Sequence, residues 1–250
     1  CIMVKVYHNG EELEDALQAV FALENRQNKT LPGQKRNKRT IRIPDYTPGE
    51  ELFNSISPGL GAFWGTAALV LMCIKAQGIL PESASVFFGI TIVQLYTISC
   101  IYHALSPDLK AKKVLRVIDH CNVYLLVLGT YCPVALLGVG GRMGWLLFGA
   151  VFVFSVLGIV FTAVDVDRFQ LISVICHLLS GWSILFGIPG LLSGMGSRGL
   201  LYLVLGGIMY SIGAVLYGLG KKKKYRHSIF HVFCLLGTFF HFWCVYAYLL

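Results

Sequence analysis

The sequence predicts an all-α integral membrane bundle of seven transmembrane helices with a cytoplasmic N-terminus, and three observations carry that expectation. The 250 residues are 56% hydrophobic and 14% charged, against roughly 45–50% apolar and about 25% charged in a soluble domain. The charge is unevenly placed: residues 1–56 hold 16 charged side chains at net zero, and residues 57–250 hold 18 at net +8. Seven apolar runs fill that second part, each about 20 residues long and so long enough for the ~30 Å hydrocarbon core of a bilayer. This composition excludes a soluble α/β enzyme, a secreted disulfide scaffold and a disordered tail protein.

Residues 1–49 form the first of two expected domains, a cytosolic N-terminal extension and basic linker. Residues 3–7 predict a short strand, Asn9-Gly10 a turn, and Asn9 with Glu12 a capping box. Leu13, Ala16, Leu17, Val20 and Phe21 recur at helical spacing, so an amphipathic helix is expected over about 11–25. It reads as a small cytosolic appendage; the alternative is a helix that docks a partner or a membrane surface. Residues 26–50 are polar and carry Gly, Pro and a basic cluster of Lys35, Arg36, Lys38, Arg39 and Arg42, the composition of a linker.

Residues 50–250 form the second domain, the seven-helix transmembrane domain. Its apolar runs fall near 57–78, 83–105, 119–139, 143–163, 169–189, 199–219 and 227–249. Pro58 suits the start of the first helix, where its missing N–H is not needed. Gly, Pro or charge marks each break, and only residues 138–142 separate the third run from the fourth, so that turn must be tight. With this threading, the N-terminal segment and the second, fourth and sixth connections carry 18 Lys/Arg, and the other connections and the C-terminus carry 3. Cytoplasmic loops are enriched in Lys and Arg, which places the N-terminus inside and the C-terminus outside a multi-pass protein of the cell (plasma) membrane. Topology explains the +8 charge without nucleic acid. Membrane lipids are the expected partners, and the sequence specifies no protein partner. Lys221–Lys224 reads as a topology determinant first and a contact for anionic headgroups second. Asn28-Lys29-Thr30 matches a glycosylation sequon on the cytoplasmic side, where it is discounted. No CxxC pair occurs among the eight cysteines, which read as small apolar side chains.

Polar side chains inside spans cost on the order of 2.5–3.5 kcal/mol on insertion scales when charged, so those that are kept point to function. Ser99 and His103 are spaced i, i+4 near the inner end of the second run, and Asp119 opens the third. His227 and His231 are again i, i+4, on the first turns of the seventh run. The threading brings these five residues from three helices to one membrane depth. A His-x3-His pair can give both imidazoles to one zinc, and a third His leaves a fourth position for water, as in catalytic zinc sites. The alternative for each histidine is an interfacial hydrogen-bonding role. His177 and His241 lie deep in their runs and read as packing or inter-helix hydrogen-bonding residues. His120 points to another face than Asp119, and Asp165 and Asp167 read as solvated loop charges.

These residues also carry a resemblance. Ser99-Cys-Ile-Tyr-His103-Ala-Leu-Ser106-Pro107 resembles the S-x3-H…SP motif of the hemolysin III family. Asp119-His120 followed by Gly129-Thr130-Tyr131-x-Pro133 resembles its DH…GTYxP motif, and His227-x3-His231, Gly237 and His241 resemble its closing pattern. Gly181-Trp182, Gly206-Gly207, Tyr210, Gly213 and Tyr217 fit its fifth and sixth helices, and Glu50-Glu51-x-x-Asn54-Ser55-Ile56 its opening segment. Pro58 stands where that segment usually has His. The superfamily includes the progestin and adipoQ receptors and is related to alkaline ceramidases. The resemblance implies seven spans with the N-terminus inside and zinc held by His103, His227 and His231, with Asp119 and Ser99 in catalytic roles beside it. It implies a zinc-dependent hydrolase of lipid amides or esters. The alternative is a non-enzymatic protein, either a membrane-homeostasis sensor or regulator or a pore-forming cytolysin, in which zinc is structural.

Overall fold

The computed structural model describes residues 41–219 and 224–250, and every regular element among them is helical. The expected strand and amphipathic helix, Asn28 and most of the Lys221–Lys224 cluster lie outside the described residues. The helices are α1 (Pro48–Lys75), α2 (Ile79–Ala104), α3 (Lys110–Pro133), α4 (Gly141–Val164), α5 (Gln170–Trp182), α6 (Ile188–Leu219) and α7 (Arg226–Tyr248). A π-helical segment, Val134–Val139, extends α3, and a 3-10 segment, Ser183–Gly187, joins α5 to α6. By length and hydropathy these elements make six candidate membrane spans, because Gln170–Gly218 runs as one stretch of 49 residues. Gly196, at φ 68° and ψ 179°, breaks that stretch.

Two helix starts differ from the sequence expectation. The first helix begins at Pro48, not Pro58. The Thr47 hydroxyl accepts from the Glu50 backbone N–H at 3.3 Å, and the Glu50 carboxylate accepts from the Thr47 N–H at 2.9 Å. This capping box satisfies free donors of the first turn, and Pro48 supplies the favoured φ. Pro58 instead sits inside α1, where the Ser57 hydroxyl donates to the Phe53 carbonyl at 2.8 Å. The third helix starts at Lys110, nine residues before its apolar run, because Lys112 and Arg116 find carboxylate partners inside the bundle. The tight turn expected at 138–142 is present: Gly140 and Gly141 both take positive φ, 67° and 55°, a conformation that costs glycine little.

The faces are those of a membrane bundle. Large apolar side chains such as Phe63, Ile79, Leu146 and Phe186 point outward. The interior holds Met72, Phe88, Ile92, Tyr96, Val151 and Leu191, together with many polar groups. Small residues allow the close approach of helices, as at Gly65, whose Cβ would lie 2.6 Å from Ile92 Cγ2. Away from the polar end, the Lys75 ammonium donates to the Tyr246 carbonyl at 2.5 Å and ties the end of α1 to the end of α7.

Candidate metal centre

The buried polar residues concentrate where the C-terminus of α2 meets the N-termini of α1, α3 and α7. Helical spacing puts Ser99 and His103 on one face of α2, and His227 and His231 on one face of α7. The first turns of α1 hold α7 in place. Glu50 accepts from the Tyr225 backbone N–H at 2.7 Å, and Asn54 accepts from the Ser228 hydroxyl at 2.7 Å. Tyr225 itself is left-handed, at φ 60°, so the chain turns sharply into α7.

The three histidines converge through one ring nitrogen each. Nε2 of His103 lies 3.2 Å from Nε2 of His227 and 3.4 Å from Nε2 of His231, and the last two are 3.1 Å apart. A ring nitrogen has a single in-plane direction for a proton or lone pair, so three mutual contacts cannot all be hydrogen bonds. Three nitrogens bound to a tetrahedral ion at about 2.0–2.1 Å stand about 3.3–3.4 Å apart. The observed triangle fits a metal ion better than a hydrogen-bonded cluster, and the donor set is chemically apt. His103 and His231 are buried and His227 is partly so. The tautomer of His103 is set from behind: its Nδ1 lies 2.7 Å from Glu51 Oε2 and donates to it, which leaves the lone pair on Nε2.

Asp119 and Ser99 stand beside this triangle, both buried. Around the Asp119 carboxylate stand His103, Ser99 and Arg116, and His120 Nδ1 lies 3.7 Å from it. Tyr46, just before α1, stacks on the His227 ring at 5.2 Å and 19° and tilts against His103 at 5.8 Å. Burial raises its phenol above the ordinary range, so it is a neutral O–H. His120 bridges helices: its ring nitrogens pair with Tyr217 Oη at 2.9 Å and the Arg116 carbonyl at 2.8 Å. His241 hydrogen-bonds the Leu203 carbonyl at 3.1 Å, and His177 packs edge-on against Tyr124 at 5.0 Å. Asp167 is a partly exposed loop charge, but it is paired and not merely solvated. It takes Arg116 in a two-pronged pair at 2.7 and 3.1 Å. Asp165 accepts from the Asp167 and Arg168 backbone N–H groups at 3.2 and 3.0 Å and shapes the turn.

Sequence reasoning missed Glu51, Lys112, Arg116 and Tyr46. An acidic pair entering an apolar run was a visible signal for Glu51. Lys112 and Arg116 were absorbed into a charge count, and nothing in the sequence distinguished them. An apolar cleft of about 110 Å³ is lined by Leu126, Tyr131, His177, Trp182, Leu203 and Tyr210 among others, with none of the three converging histidines in its wall. Phe230 lines the cleft and stacks on His227 at 5.5 Å.

A multi-pass integral membrane protein with a buried three-histidine centre at one end of its bundle is the class that fold and site define. The chain belongs to the haemolysin-III related family, whose pattern matches residues 46–242. It is 35% identical to Hemolysin-3 of Bacillus cereus over 204 residues, which cover 80% of this chain and 92% of that protein. It is 35% identical to the Hemolysin-3 homolog of Bacillus subtilis (strain 168) over 206 residues, covering 81% and 96%. A more distant match, 25% identical over 178 residues, is the adiponectin receptor protein of Drosophila melanogaster, with 58% of this chain and 37% of that one covered. That match fits the wider progestin and adipoQ receptor superfamily.

Proposed function

We propose that the chain is a zinc-dependent hydrolase of lipid amides or esters in the plasma membrane, with its centre on the cytoplasmic side. The observation that carries this reading is the triangle of Nε2 atoms from His103, His227 and His231. Those three side chains would hold the ion, which when bound supplies Lewis-acid activation of water near neutral pH. Asp119 holds and returns the proton on its carboxylate, and its place next to His103 and Ser99 suits that work. Ser99 orients that carboxylate through its hydroxyl. Tyr46 covers His103 and His227 and limits bulk water. The wall of the apolar cleft suits hydrocarbon chains, and Phe230 links that wall to the His227 ring. Membrane lipids are therefore the partners, and nothing in the site suits a nucleic acid.

Seven crossings with the N-terminus inside fit this reading. A helix of 49 residues would be about 74 Å long, more than twice the ~30 Å core, so the break at Gly196 divides two crossings. The 18-to-3 division of Lys and Arg then sets the orientation. Turnover tests the proposal. Purified protein with zinc bound is offered lipid amides and esters, ceramides among them, beside His231→Ala. Release of fatty acid by the parent and its loss in the variant support a hydrolase. The name of the Bacillus relatives favours a second reading, a cytolysin with structural zinc. It predicts zinc binding and lysis of erythrocytes or vesicles with no fatty acid released.

A further inference from the structure

Short polar contacts behind the centre belong to a residue pair that the proposed chemistry does not use. Glu51 accepts from His103 Nδ1 with one oxygen, at 2.7 Å. With the other it takes the Lys112 ammonium, at 2.5 Å. Lys112 is 0% exposed, and its remaining donors go to the Leu105 carbonyl at 2.8 Å and the His103 carbonyl at 3.5 Å. Its three N–H donors therefore meet three acceptors. Two of these are carbonyls that end α2, where a cation also opposes the helix dipole. A buried ammonium persists only when it is paired in this way.

We infer that Glu51, locked in place by Lys112, is the positioning residue that presents Nε2 of His103 to the metal. The inference rests on the reading of the three histidines as zinc ligands. A carboxylate only accepts hydrogen bonds, so Glu51 fixes the proton of His103 on Nδ1 and makes Nε2 the better donor to a metal. Lys112 holds both the partner of the ring and the backbone that carries it. The device supports His103 and not His227, whose Nδ1 has no hydrogen-bond partner among the described residues. α1 thus works as a jig: Glu51 sets the ligand on α2, and Glu50 and Asn54 set the start of α7. A plain ion pair would need neither the Nδ1 contact nor the carbonyl beside His103.

The test is zinc affinity, read by competition with a chromophoric chelator, on the full chain in detergent. The parent is compared with Glu51→Ala, Glu51→Gln and Lys112→Met, with His227→Ala/His231→Ala as the zinc-free reference. Affinity is expected to fall about 10–100-fold in Glu51→Ala and in the same direction in Lys112→Met. Glu51→Gln keeps an acceptor without its charge and is expected to lose less than Glu51→Ala but more than threefold. The absorption bands of cobalt bound in place of zinc are expected to shift in the same variants, which a purely structural role would not cause. Zinc affinity within threefold of the parent, in whichever of the three variants fold, overturns the inference alone. A parent that holds no zinc overturns the zinc reading itself and the inference with it.

Discussion

Replacing Asp167 by Ala removes the carboxylate that holds Arg116 from two sides. Arg116 is 5% exposed, and its Nε already has no hydrogen-bond partner among the described residues. Truncating one partner of a fully buried pair costs about 3–5 kcal/mol, because the other charge is left uncompensated. The Asp167 side chain is 35% exposed, however, and water reaching that side screens the pair. The discounted cost is about 2 kcal/mol, between the buried value and the ~0–1 kcal/mol of a surface pair. For a domain of this size that is a fall of roughly 4–8 °C in Tm. Thermal unfolding in detergent of the parent, Asp167→Ala, Arg116→Ala and the double variant separates the coupling from each side chain's other contacts. A coupling below about 0.5 kcal/mol would refute the claim that this pair anchors α3 to the α4–α5 turn.

Two further outcomes follow from the same end of the bundle. Thr47→Ala removes one half of the capping box at the head of α1 and is expected to cost about 1 kcal/mol in thermal unfolding; no change would mean that the helix start is held elsewhere. Tyr46→Ala uncovers His227 and His103, so zinc removal by a chelator is expected to speed up several-fold with little change in Tm; an unchanged rate would show that Tyr46 does not cover the site.

Much of the site was legible because membrane helices obey two simple rules. Spacing of i, i+4 put Ser99 with His103 and His227 with His231, and antiparallel threading brought those pairs to one end with Asp119. The structure adds what spacing cannot give, that the three Nε2 atoms meet within 3.4 Å. Pro58 misled because helix starts in a membrane protein need not coincide with the start of apolar sequence. The polar turn from Pro48 is capped locally, and its Glu50 and Asn54 are buried against the start of α7. Lys112 and Arg116 entered only the topology count and Asp167 was read as a solvated charge, because a charge count cannot see pairing across 51 or 61 residues of chain. Glu51 lay within a quoted family segment, yet its partner His103 is 52 residues away and on another helix.

The central claim is that His103, His227 and His231 form a zinc site. The most direct measurement is metal content by mass spectrometry of detergent-purified protein, beside His227→Ala/His231→Ala. One zinc per chain in the parent, lost in the folded variant, is the predicted result. A folded parent, prepared without chelators and free of zinc, would contradict the account.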